Sequence, residues 1–309
     1  MNKVNNKTIK KAMKSLSSIL TISLLLVGAT VYGQSYTFKV LANKGANEVK
    51  SGNEWKPLKT GTSLKDGDEL KLSENAYLGL VHNSGKTLEL KEAGSHKITD
   101  LAAKINTGGS SVASKYADFV LSKMSAETKS NRLTATGAVH RAVVNSSINV
   151  YMPNSVEVYN DKALIEWGVV EGENLFVVKV VNMFGDELLS AESATNRYIL
   201  DLTSEKLAKE AALLVTVSVK GNDEMKSEEV AIKRLPADKT EIVKANLGEL
   251  MSEVDTKNAL NNYILAGFYE ENRLLLDALF FYEEAMNLAP EVESFKEAYE
   301  EFLFRNGLN

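Results

Sequence analysis

The chain has 309 residues, of which 44% are hydrophobic and 25% charged, with a formal net charge of −5 and no cysteine. That length allows two or three domains, and the composition is that of ordinary folded protein rather than a disordered or fibrous chain. The missing cysteines exclude disulfides, thiolate metal sites, thiol catalysis and a lipid-attachment cysteine, and the acidic balance argues against the basic surface that nucleic acid requires.

Residues 1–33 read as a secretory signal peptide. Lys3, Lys7, Lys10, Lys11 and Lys14 precede the apolar run "SLSSILTISLLLVGATV", and small Gly33 stands just before Gln34. This is the charged, apolar, small-residue order of such signals. The run is nearly long enough to span a bilayer, so an anchor that stays in place is the alternative. Cleavage would remove five basic residues and no acid, leaving 31 basic and 41 acidic residues, a formal charge of −10. No later segment is apolar enough to cross a membrane. The expectation is a soluble protein without a stable transmembrane span after cleavage, exported to the periplasm of a Gram-negative bacterial envelope.

Residues 34–104 read as a small β domain. "YTFKVLA", "NEVK", "EWKPL", "ELKL", "AYLGLVH", "TLELK" and "SHKITD" are short runs with period-two alternation, broken by Gly, Asn, Asp and Ser. Trp55, Leu58, Gly61, Leu64, Gly67 and Asp68, the strand "YLGLV", the turn Ser84-Gly85-Lys86 and the strand "TLEL" resemble the extracytoplasmic FecR-type domain. The resemblance implies a compact domain of short stacked strands. FecR-type sigma regulators carry a cytoplasmic segment before their membrane span, whereas here the apolar run begins near residue 16. Direct regulation of a sigma factor is therefore not expected.

Within this domain "SLKDGDELKL" starts like a calcium loop with Asp66, Gly67 and Asp68 but does not continue the alternate-acid pattern, so it reads as an Asp-Gly turn between strands. "HNSGKT", His82 to Thr87, ends like a phosphate loop but lacks the required upstream glycine and joins two strands, so it reads as a hairpin. His82, His96 and His140 lie far apart, and no pair has the spacing of a zinc site. Neither a metal nor any other cofactor is expected.

Residues 105–147 read as a connector with one amphipathic helix, carried by Val112, Tyr116, Phe119, Val120 and Met124, followed by a strand at "GAVHRAVV". Residues 148–236 supply seven alternating runs, "SVEVY", "KALIEWGVV", "NLFVVKVVN", "DELLSA", "NRYILDL", "ALLVTVSV" and "SEEVAIKRL". Their regular spacing predicts a β-sandwich with Trp167 between its sheets. By strand count and alternation the segment resembles an immunoglobulin or fibronectin type III domain, without the disulfide of true immunoglobulin domains.

Residues 237–309 read as helical. Leu265, Ala266, Tyr269, Ala278, Tyr282, Ala285 and Pro290 fall at the intervals of one tetratricopeptide repeat, about residues 259–292, which they resemble. Small residues allow two helices to touch, aromatics fill the gap and the proline ends the second helix. One repeat cannot bury its own face, so flanking helices at 238–254 and 291–305 are expected to complete a short stack. Tyr263, Gly267, Glu270 and Glu271 are the candidate partner-binding residues, on the inner groove of that stack. The adjacent acids Glu270-Glu271, Glu283-Glu284 and Glu300-Glu301 read as a solvated face, because neighbours on a helix diverge by about 100°.

No nucleophile–base pair or nucleotide motif is visible, so no enzyme is expected. The fold class is α+β multidomain. The functional expectation is a non-catalytic envelope adaptor or scaffold that binds protein partners through the C-terminal helical unit, with cell-wall material as a second candidate contact. The alternative is a sensor or regulator component of an envelope signalling system.

Overall fold

The computed structural model describes residues 36–105, 111–123 and 148–308. Among them are sixteen strands and six helices, a mixed α+β architecture in which β structure dominates the N-terminal part and helices the C-terminal part. The predicted strand at "GAVHRAVV", with His140, and Met124 lie outside the described residues. None of the described helices is long and apolar enough to cross a membrane.

The first β region comprises β1 (Phe38–Lys44), β2 (Glu48–Ser51), β3 (Glu54–Pro57), β4 (Ser63–Leu64), β5 (Glu69–Leu72), β6 (Tyr77–His82), β7 (Thr87–Leu90) and β8 (Gly94–Lys97). They form two antiparallel four-stranded sheets, ordered β4-β1-β6-β7 and β3-β2-β5-β8. Phe38, Val40, Leu64, Leu70, Leu72, Leu78 and Leu80 share one core. The predicted strand "SHKITD" stops at Lys97 and helix α1 (Ile98–Ala103) follows. Ile98 and Leu101, three apart, both turn into that core, and Asp100 sits in the first turn where the helix dipole favours an acid.

Strands β1 and β6 are covered on both faces. A register shift between Val40 and Ala42 inserts Leu41 as an extra residue in β1. The bulge leaves Phe38 and Val40 in the first core and sends Leu41 and Ala42 to a second, larger core. Tyr77 and Val81 of β6 likewise join the larger core. Every residue of β6 is buried as a result, which accounts for the nearly unbroken apolar run "YLGLV".

The second β region comprises β9 (Ser155–Val158), β10 (Lys162–Glu166), β11 (Phe176–Val181), β12 (Glu187–Ser193), β13 (Arg197–Asp201), β14 (Ala212–Val219), β15 (Asn222–Lys226) and β16 (Val230–Arg234). One sheet runs β12-β11-β14-β16-β9, with β15 attached to β14, and β10 and β13 form a separate two-stranded sheet. The β16–β9 pair is parallel and the other pairs of these two sheets antiparallel. Trp167 follows β10, bridges Val150 and is wholly buried with its ring edge-on to Phe176 at 5.3 Å. All seven predicted runs are strands. The eighth, β15, is polar and mostly exposed, so it carries no alternation for a sequence reading to find.

Helices α2 (Ser111–Lys123), α3 (Ala237–Met251), α4 (Ala259–Glu271), α5 (Leu275–Leu288) and α6 (Glu293–Arg305) complete the chain. The predicted flanking helices are present as α3 and α6. Ala266, Ala278 and Ala285 are fully buried where α4 meets α5, and α5 ends two residues before Pro290. Helix α6 packs on α5, while α2 from the connector packs on α4. Helix α4 is buried along nearly its whole length. A Cβ at Gly79 in β6 would fall 2.9 Å from Leu260 Cδ1, which marks how closely α4 approaches the sheet. The residues from Tyr36 onward belong to one unit, with the larger core running through β1, β6, the second β region and the helices.

Candidate functional site

Of the four residues predicted to line a groove, Tyr263, Gly267 and Glu270 are buried and Glu271 stays exposed. Tyr263 is buried among Tyr282 and Phe295, with ring centroids 5.9 and 5.4 Å away. Gly267 faces α2, where an added Cβ would fall 2.5 Å from Val120 Cγ1 and 3.5 Å from the Tyr116 carbonyl oxygen. Glu270 is 5% exposed. Glu271 pairs with Lys115 of α2 at 3.2 Å. The expected groove is therefore closed, by α5 and α6 at Tyr263 and Glu270 and by α2 at Gly267. At Gly267 the reason lies in the amphipathic pattern of α2 itself, whose Ala113, Tyr116, Ala117 and Val120 need an apolar surface and find it there.

Gly267→Ala should lower stability by about 1–3 kcal/mol, because β-branched Val120 has little freedom to yield. Thermal unfolding of Gly267→Ala and of Gly267→Ala/Val120→Ala checks this. The second substitution should recover much of the loss, and a Gly267→Ala protein as stable as the parent would show that α2 is not packed there.

The acidic pairs do not form a solvated face. Glu270, Glu283 and Glu301 are buried while Glu271, Glu284 and Glu300 are not. The divergence that keeps adjacent residues from sharing a site also turns one of each pair inward.

Glu270 on α4 receives Arg305 Nε at 2.5 Å and Nη2 at 2.6 Å, and the Tyr282 hydroxyl donates to it at 2.8 Å. Asn306 Nδ2 adds a bond at 3.1 Å. One carboxylate thus ties α4, α5 and the end of α6 together. Asp277 in the first turn of α5 is fully buried and accepts the backbone N–H groups of Tyr159 and Asn160 at 3.0 and 2.8 Å, fastening the β9–β10 turn. Burial raises the Asp277 pKa to about 6 despite those donors. Glu89 of β7 accepts the Leu260 N–H at 3.1 Å and the Tyr77 hydroxyl at 2.6 Å, so a strand carboxylate caps the start of α4.

The remaining polar cluster lies where α5 and α6 meet the β10–β13 sheet. Tyr299 of α6 donates to Glu166 of β10, and Arg197 of β13 reaches Glu283 of α5 at 3.0 Å. Burial, then the neighbouring Glu283 carboxylate, raises the Glu166 pKa to about 7. Beside this cluster a cleft of about 420 Å³ opens between β13 and α5, lined by Arg197, Ile199, Phe280, Glu283 and Glu284 among others. It is a candidate site that the sequence reading did not single out. Its only signal was the half-polar run "NRYILDL".

The two suspected ligand loops are accounted for as turns. Asp68 N–H donates to the Lys65 carbonyl at 3.1 Å, and Lys65 N–H donates to Asp68 Oδ2 at 2.8 Å. Gly67 takes φ +92°, a conformation that favours glycine. Asp66 accepts the Thr37 hydroxyl at 2.7 Å. In "HNSGKT" the Gly85 N–H donates to the His82 carbonyl at 2.8 Å and His82 N–H to the Lys86 carbonyl at 2.7 Å, closing the β6–β7 hairpin. Burial lowers the His82 pKa, and its Nδ1 lies 2.8 Å from Ser84 Oγ. His96 Nε2 lies 3.0 Å from the Glu92 carbonyl oxygen. Among the described residues no group of three or more His, Asp or Glu side chains is arranged to hold a metal ion.

No protein-family model matches the chain, and no curated protein is significantly similar to it.

Proposed function

We propose that the protein is a non-catalytic adaptor of a bacterial cell envelope, exported to the periplasm of a Gram-negative cell, that holds protein partners through its C-terminal helical layer. The observation that carries this reading is the use made of buried and part-buried carboxylates. Glu270, Asp277, Glu89 and Glu166 each fasten one element to another, the pattern of a scaffold that fixes surfaces relative to one another. The resemblances add to it. The antiparallel α4–α5 pair with its small-residue contact suits a tetratricopeptide-type unit, a helix pair used for protein contact. The β10–β13 sheet and the β12-β11-β14-β16-β9 sheet share one core, which suits an immunoglobulin-like sandwich. The two short-stranded sheets of the first region suit a FecR-type domain. Fold alone does not fix function, so the export signal and the lack of a visible catalytic constellation complete the argument.

Since α2, α5 and α6 together bury α4, the partner surface is assigned to the outward side of α5. Expression of the whole chain in a Gram-negative host, with fractionation and N-terminal sequencing, tests the export claim. The expected result is a periplasmic protein beginning near Gln34. Cross-linking capture from native envelopes tests the adaptor claim. An intact N-terminus in the cytoplasm, or no partner above a mock capture, overturns the reading.

A further inference from the structure

The cleft beside α5 runs along an open strand edge. β13 ends the two-stranded sheet, because its sole strand neighbour among the described residues is β10. Two backbone bonds bracket the pairing: Leu202 N–H to the Asp161 carbonyl at 2.8 Å, and Trp167 N–H to the Asn196 carbonyl at 3.0 Å. Both are in step with the register Lys162↔Asp201 through Glu166↔Arg197. Hydrogen-bonded pairs alternate in an antiparallel ladder. Residues 196, 198, 200 and 202 therefore bond toward β10, and Arg197, Ile199 and Asp201 turn their N–H and C=O groups away from it.

The two ends of this edge are partly occupied. The Arg197 carbonyl accepts the Ser193 hydroxyl at 2.8 Å, and the Asp201 carboxylate folds back onto Thr203. The middle is open. Ile199 keeps both outward backbone groups without a partner among the described residues, and its side chain is 52% exposed. Edge strands are usually guarded by proline, a bulge or a central lysine. β13 has none of these, with the sequence Arg-Tyr-Ile-Leu-Asp and an unbroken register.

The cleft supplies side-chain chemistry along the same edge. Phe280 and Ile199 give it an apolar floor. Glu283 is matched by Arg197, whereas Glu284 has no cationic partner among the described residues. We propose that this edge binds an extended, basic segment of a partner protein as an added strand. Ile199 and the Asp201 N–H supply the backbone bonds, an apolar side chain of the partner packs on Ile199 and Phe280, and a lysine or arginine two residues away meets Glu284. The proposal rests on the adaptor reading and names the chemistry of the partner segment.

The test is fluorescence anisotropy on the full mature chain with a labelled peptide of about eight residues, Val-Ser-Lys-Ser repeated, which puts valine and lysine two apart on one face. Saturable binding is expected, weakened about tenfold or more, or about 1.4 kcal/mol, in each of three controls. The first is the peptide with alternate backbone nitrogens methylated. The second is Ile199→Pro, a substitution suited to an edge position whose N–H faces outward. The third is Glu284→Lys, an outward-facing change that spares the core if Ile199→Pro fails to fold. Equal binding of the methylated peptide, equal binding of a valine–glutamate peptide, or no binding at all overturns the proposal. So does sedimentation showing that the edge is instead taken by a second copy of the chain. Peptide failure with native envelope capture intact removes this inference alone, whereas failed capture with peptide binding intact removes the adaptor reading.

Discussion

Arg305→Ala is expected to destabilise the protein by about 3–5 kcal/mol, the cost of leaving a buried carboxylate without its partner. Glu270 sits between α4 and α6 with two Arg305 nitrogens, the Tyr282 hydroxyl and Asn306 Nδ2 all directed at it. Burial by itself disfavours the guanidinium charge, yet the bonds to Glu270 and the charges around it raise the Arg305 pKa overall. Removing the guanidinium takes away the two shortest bonds and leaves Tyr282 and Asn306 to carry the charge. An exposed ion pair would contribute about 0–1 kcal/mol, so the magnitude decides whether the pair is buried in solution.

A second variant separates the pair's own worth from the penalty of orphaning one member. Glu270→Met/Arg305→Met fills the same space with apolar groups and should be markedly more stable than Arg305→Ala. Tyr282 and Asn306 would lose an acceptor in that variant, so full recovery is not expected. Denaturant midpoints of the three proteins give the comparison. A loss below about 1 kcal/mol for Arg305→Ala would mean that α6 does not dock as described.

Glu166→Gln is expected to stabilise the protein at pH 8 and to do so much less near pH 5. Burial, then the nearby Glu283, raises the Glu166 pKa from its usual 4.5 to about 7 in the folded chain. A carboxyl whose folded pKa is raised contributes stability that is fully present below its unfolded pKa. That contribution is lost as pH rises through the folded pKa. The window therefore runs from about pH 4.5 to pH 7, and the loss approaches about 3 kcal/mol at 1.36 kcal/mol per pKa unit. Glutamine keeps an oxygen for the Tyr299 hydroxyl but cannot ionise, so it removes this part of the slope.

Asp277, raised to about 6 by burial, adds a slope of the same sign between its unfolded value of 3.8 and pH 6. The difference between parent and Glu166→Gln isolates the Glu166 share. Melting temperatures of both proteins from pH 5 to pH 8 check the expectation, and parallel curves would refute it.

The strands were legible because their signal is local. Alternation in "ALLVTVSV" reports one buried face, and β14 buries every second residue. The alanines at 266, 278 and 285 marked the α4–α5 contact because close approach of two helices needs small side chains at known intervals. β15 was not legible, since an exposed polar strand held by its hairpin partner has no hydrophobic period. The start of α1 was missed for a related reason: in "SHKITD" two apolar residues three apart suit a helix turn as well as a strand end.

The site was less legible than the fold. Tyr263, Gly267 and Glu270 were chosen from the geometry of an isolated helix pair. Helix α6 closes over Tyr263 and Glu270, and α2, about 150 residues earlier in the chain, closes over Gly267; no local pattern records those meetings. The β13 cleft joins a strand to a helix some 80 residues later, and the openness of its edge depends on which strands fail to pair with it.

The sequence by itself determined most of the element types, the closeness of α4 to α5 and the turns at Gly67 and Gly85, because each depends on residues within a few positions of one another. Only the tertiary structure decided which face of each helix is covered, which acid of each pair is buried and which strand edge stays open. Those outcomes depend on competition among distant apolar surfaces for burial, and the positions of α2 and α6 against α4 settle it for the face on which a groove was expected.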